Sequence, residues 1–168
     1  MSAFTDLLSN PYNGANIDLV VDITLQRPEL LDELWMFAID NNPAAWKAVW
    51  VMDKINDTQP DLILPFLKPM LEIVEKLKQS GQKIHMLKLL SLHPLPAEPT
   101  GEFIDYCFNI LQSRTEPVAG RVHAMQLLYN IAEIIPEFKN ELRIVIEDVM
   151  IEGTAGIRSR GSKLLKSL

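Results

Sequence analysis

A motif that returns about every 38 residues constrains this chain more than any other feature of its sequence. Ala48, Val51, Met52 and Ile55, followed by Pro60, reappear 76 positions later as Ala124, Leu127, Leu128 and Ile131, followed by Pro136. Midway between them, Met86, Leu89 and Leu90 fill the first three slots. Upstream stand Leu19, Val20, Ile23 and Pro28; downstream stand Leu164, Leu165 and Leu168, with Arg158 in the slot of Arg121. Self-similarity at such a period marks stacked supersecondary units, because one unit alone cannot bury its apolar face.

The apolar spacing identifies the unit as a pair of helices. Val122, Met125, Leu128, Ile131 and Ile135 recur at intervals of three and four, as do Phe138, Leu142, Val145, Ile146 and Val149. No run alternates strictly, so no strand is expected. Pro28, Pro60 and Pro136 each lead into a second helix, with Glu29, Asp61 and Glu137 at its positive end. Asn42 reads as an N-cap before an N1 proline, Pro43, and Gly81 and Gly153 read as C-caps. The predicted pairs are 16–26 with 28–40, 43–57 with 60–79, 82–92 with 100–113, and 116–134 with 136–151, followed by a lone helix over 155–168. Pro65 and Pro69 lie within the second of these second helices, which should therefore start late or kink. Residues 1–15, with Ser9, Asn10, Pro11, Asn13 and Gly14, read as a turn-rich lead-in, and 16–168 as one domain. The proline-rich linker 93–99 is too short to separate domains.

This arrangement resembles the HEAT-like repeats of the ARM/HEAT superfamily: two helices per unit, proline at the turn, then an acid and an apolar run. The resemblance covers residues 16–168. It implies an all-α fold, an α-α superhelix or HEAT-like solenoid of about four and a half helix pairs. Such solenoids serve as scaffolds, transport factors, phycobilin lyases and alkylation-repair glycosylases, so the backbone does not specify a chemistry.

Catalytic signatures are absent from the sequence. It has no phosphate-binding G-x-x-x-x-G-K-[ST] loop, no G-x-G-x-x-G, H-E-x-x-H or C-x-x-C, no G-x-S-x-G elbow, and no serine loop of the fumarase type. His85, His93 and His123 have no metal-ligand spacing around them, and Cys107, between Tyr106 and Phe108, reads as a buried structural thiol. No catalytic residue, metal or cofactor is therefore expected. Trp46 and Trp50 share a helix face, either as inter-repeat packing or as an aromatic platform. Trp35, Met36 and Phe37 are consecutive on a helix, so at least one should be exposed.

Charge separates by helix layer. Across units two to four the first helices carry a net +1, whereas the second helices of all four units carry −8. The acids responsible include Glu29, Asp32, Glu33 and Asp40 in the first second helix, Glu102 and Asp105 in the third, and Glu137, Glu141, Glu147 and Asp148 in the fourth. The resemblance implies that these helices line a concave surface, which would then be acidic. The last helix inverts the sign with Arg158, Arg160, Lys163 and Lys166. Ile157, Leu164, Leu165 and Leu168 offer it an apolar face to pack, leaving a basic cap that favours a monomer or weak self-association.

The reading that follows is a non-enzymatic HEAT-like repeat scaffold. It would bind a protein or peptide partner, basic in character, through the acidic face. Glu33, Glu102, Asp105, Glu141, Asp148, Arg158 and Arg160 are the candidate contacts. A net charge of −6 argues against nucleic acid. The alternative is an alkylation-repair-like DNA glycosylase on the same fold, nominating Trp46, Trp50 and Asp105, but its phosphates would meet repulsive second helices. One cysteine, no secretory pattern and no long apolar run lead to the expectation of a cytoplasmic protein without a membrane segment.

Overall fold

A computed structural model describes residues 4–10 and 14–168; Pro11 and Asn13 of the expected lead-in lie outside the described residues. The described residues form helices and turns, with no strand among them. The helices are α1 (Thr5–Ser9), α2 (Gly14–Gln26), α3 (Leu31–Ala38), α4 (Ala45–Thr58), α5 (Leu64–Ile73), α6 (Ser80–Leu92), α7 (Gly101–Gln112), α8 (Val118–Ile134), α9 (Lys139–Ile151) and α10 (Ala155–Leu165). They group into two compact units, Met1–Leu89 and Leu90–Leu168.

The repeat is visible in the backbone itself. Three second helices open with the same short 3-10 turn: Pro28–Leu30 before α3, Pro60–Leu62 before α5 and Pro136–Phe138 before α9. Proline forces its predecessor out of the helical region. Arg27, Gln59 and Ile135 accordingly share nearly one conformation, with φ of −134°, −137° and −120° and ψ of 72°, 75° and 83°. Each turn puts an acid (Glu29, Asp61 or Glu137) where helical N–H groups are unpaired. Glu29 illustrates the effect. A backbone hydrogen bond, then one from Arg27, holds its carboxyl below the usual range.

The first helices carry the core. On α4, Ala45, Ala48, Val49, Val51, Met52 and Ile55 are fully buried, and on α8 Ala124, Met125, Leu127, Leu128, Ile131 and Ala132 are too. Leu89 and Leu90 of α6 are buried as the alignment requires. In the first unit α4 packs against α2 and α3; in the second α8 packs against α7, α9 and α10. Ile157 and Leu164 of α10 are buried, while Leu165 and Leu168 are half-buried. Arg158, Lys163 and Lys166 remain exposed.

Several local expectations need correction. The lead-in is ordered where described: α1 includes Ser9, and Phe4 and Leu8 are buried. Two apolar residues four apart suffice to seat one helical turn. Asn42 does not cap α4 directly. Its Oδ1 accepts from the Ala44 N–H at 2.8 Å, forming an Asx turn, and the helix begins at Ala45. Gly81 lies in the first turn of α6, not at a C-cap. A Cβ there would stand 2.9 Å from Trp46 Cβ, so its role is close approach. Gly153 does follow α9, but among the described residues no glycine has positive φ; its Cβ would collide with the Val149 carbonyl oxygen. The helix expected over 60–79 is broken in two places. Pro65 sits in the first turn of α5, where its missing N–H costs nothing, and after Ile73 the chain tightens into a 3-10 turn at Val74–Lys76.

Burial on the first-helix layer predicts a sharp contrast. Leu128→Ala should lower unfolding free energy by about 2–5 kcal/mol, whereas Ile144→Ala, on an exposed residue of α9, should change it by less than about 0.5 kcal/mol. Urea titrations of both variants provide the check. Equal costs would show that the aligned leucine layer is not the core.

Candidate functional site

In the first unit the repeat slot after Met52 holds a carboxylate. Asp53 on α4 is 3 % exposed, next to the fully buried Met52. A buried charge needs partners. They come from α6, where His85 and Lys88 lie three residues apart and so on one face. His85 Nδ1 is 3.0 Å from Asp53 Oδ2, and Lys88 Nζ is 2.8 Å from Oδ1 and 2.9 Å from Oδ2. Burial raises the Asp53 carboxyl, but the hydrogen bonds from His85 and Lys88, with their charges, outweigh it and hold it below the usual range. Above this group the aromatic rings form a ladder. Trp46 stacks on Trp50 at 5.8 Å and 11°, and Trp50 on His85 at 6.3 Å and 20°. Lys54, paired with Asp18 at 2.8 Å, stands 5.9 Å from the Trp50 ring centre. The half-buried indoles thus contribute to joining α4 with α6.

Sequence spacing could not reveal this cluster, since Asp53 lies 32 and 35 residues from its partners. The available signal was an acid between the apolar residues Val51, Met52 and Ile55 of the run. Chemically the cluster is closed, with both carboxylate oxygens facing cations. Among the described residues no group of three or more His, Cys, Asp or Glu could hold a metal ion.

The acids named from the sequence lie on second helices, toward solvent. In the second unit Glu102, Asp105, Asn109 and Gln112 form the exposed stripe of α7, at intervals of three and four. Glu141, Ile144, Asp148 and Ile151 form the matching stripe of α9, which packs beside α7. Among the described residues no ion pair engages Glu102, Asp105, Glu141, Glu147 or Asp148. In the first unit Asp32 and Asp40 are exposed and Glu33 is half-buried on or beside α3. Met36 is 64 % exposed there, while Trp35 leans on Phe66 at 5.7 Å and Phe37 is buried.

The two basic candidates part company. Arg158 is exposed, but Arg160 is half-buried and committed internally. Its guanidinium donates to Gln126 Oε1 at 2.6 Å, Gln126 Nε2 donates to Asn130 Oδ1 at 2.9 Å, and Asn130 Nδ2 donates to the Ser91 carbonyl at 3.0 Å. Thr154, whose Oγ1 accepts from the Ile157 N–H, caps α10.

A family model described as HEAT repeat domain matches residues 4–168. The chain belongs to the HEAT repeat domain family. No curated protein and no solved structure matches it. The two helices per unit and the recurrent Pro-acid-apolar turns are thus the working parts of a HEAT repeat, and its first helices supply the stacking surface. No helix among the described residues is long and apolar enough to cross a membrane.

Within this HEAT repeat chain the Asp53 cluster predicts an acid-side stability change. The folded-state value is depressed, so its contribution is present above the unfolded value of about 3.9 and is lost as pH falls through the folded value. Asp53→Asn should cost about 1–3 kcal/mol at pH 7. That deficit against wild type should shrink as pH falls below about 4. Thermal melts between pH 7 and pH 3 test this; a deficit independent of pH would mean that the Asp53 charge does not carry the join.

Proposed function

We propose that this HEAT repeat chain is a non-enzymatic scaffold that binds a basic protein or peptide through the acidic layer of its second helices. The observation that supports this reading is the fate of the acids. On α7 and α9, Glu102, Asp105, Glu141, Glu147 and Asp148 are all exposed and drawn into no ion pair among the described residues. Asp53, the strongly buried acid among the described residues, is engaged by His85 and Lys88 on a first helix. Asp53 is thus spent on stability, whereas these five acids of α7 and α9 face solvent. A layer of uncompensated negative charge accelerates and orients a cationic partner, and it repels nucleic-acid phosphates. Residues 16–168 act in this proposal as one repeat domain, and the lone Cys107, fully buried, fits a cytoplasmic location.

A peptide library sorted by net charge tests the proposal. The wild-type chain should enrich cationic peptides, and Glu102→Lys/Asp105→Lys/Glu141→Lys/Asp148→Lys should lose that enrichment while melting within a few degrees of wild type, since all four sites are exposed. In the same buffer at physiological salt, duplex DNA should give no gel shift. Enrichment that ignores peptide charge, or DNA binding with a steep salt slope, would contradict the reading.

A further inference from the structure

In the second unit the acidic layer is not uniformly polar. Ile144 and Ile151 of α9 are 66 % and 74 % exposed. They lie seven residues apart on one face, and Glu141 and Asp148 alternate with them at the same register. Two turns separate the isoleucines, about 10 Å along the helix axis. The neighbouring stripe of α7 presents Glu102 and Asp105. The nearby cations are occupied or withdrawn. Arg114 pairs with Glu152 at 2.6 Å, Lys139 pairs with Glu133 at 2.7 Å, and Arg143 is half-buried. At the Ile151 end the stripe runs into a cleft of about 570 Å³, where Gln112, Asp148 and Ile151 meet Val118. The two isoleucines are the most exposed large apolar side chains among the described residues, and they share one face with the unpaired acids.

We infer that the α7–α9 face docks a basic amphipathic helix. Aliphatic residues spaced i and i+7 on that helix would cover Ile144 and Ile151, and its flanking Lys or Arg would meet Glu102, Asp105, Glu141 and Asp148. This inference rests on the proposed scaffold function and adds the class of partner and the place where it sits. The spacing of the isoleucines supplies the register that a helix laid into a groove reads as i, i+3 or i+4, and i+7. Alternation of acids with them selects a cationic rim over an anionic one. An acidic helix would meet like charges on both stripes, and so would an anionic lipid surface.

The test uses the full chain and three synthetic 18-residue peptides. One is amphipathic with Leu on one face and Lys or Arg on its flanks, one is the same helix with Glu for Lys and Arg, and one is a sequence scramble of the basic peptide. Fluorescence anisotropy at low and at physiological salt reads affinity. The basic amphipathic peptide should bind at least about tenfold more tightly than either control, a difference of one decade in Kd. Ile144→Ser/Ile151→Ser should lose about tenfold of that affinity without changing the melting temperature, as expected for exposed sites. Glu141→Gln/Asp148→Gln should lose less and flatten the salt dependence. Binding by the scramble as tight as by the amphipathic peptide overturns the inference. So does wild-type affinity in the isoleucine variant, and so does a wild-type dimer by sedimentation that the isoleucine variant abolishes, since the occupant is then a second copy. If cationic peptides still bind and only the charge variants lose them, the scaffold reading stands and helix docking fails. If no cationic peptide binds, both fail.

Discussion

Everything in this fold depends on one constraint: the first helix of each pair is apolar on too many sides to be covered by its own partner. Eight positions of α4 between Ala45 and Asn56 are buried, distributed around the helix and not along one stripe. A helix with that distribution must be sandwiched. The repeat follows from this need, because α2, α3 and α6 lend α4 cover in the first unit while α7, α9 and α10 cover α8 in the second. The short Pro-acid-apolar turn is what returns the chain quickly enough for the second helix to lie beside the first.

Within that sandwich Asp53 adds direction. Hydrophobic burial alone would let α4 and α6 slide, since leucine contacts are tolerant of register. A carboxylate that must meet His85 at 3.0 Å and Lys88 at 2.8 Å is not tolerant. The polar relay from Arg160 through Gln126 and Asn130 to Ser91 constrains the second unit in a similar way. Both devices join first helices, and neither draws on the exposed acids of α7 and α9.

The helix order was legible because it is carried by short-range patterns: leucines three and four apart, and prolines that can only start a helix. Leu89, Leu90, Leu127 and Leu128 were placed correctly for that reason, as was the late start of the helix at Pro65, whereas α5 runs through Pro69 unbroken. What escaped was contact across the repeat. Gly81 looks like a helix stop until Trp46 is seen against it, and α1 has too few residues to announce a period. Arg160 read as a surface charge because its partner is 34 residues away, and the partners of Asp53 are as distant in sequence. The exposed acids of α7 and α9 were identifiable in sequence, and Ile144 and Ile151 fall off the apolar face of Phe138, Leu142, Val145, Ile146 and Val149, as their exposure bears out.

The sandwich of first helices is tested most directly by native-state hydrogen exchange followed by mass spectrometry. Amides that open only on global unfolding mark the best-covered elements. Segments within α4 and α8 should exchange last, later than α3 and α9 of the same units. Slowest exchange in α3 or α9, with α4 and α8 opening early, would contradict it.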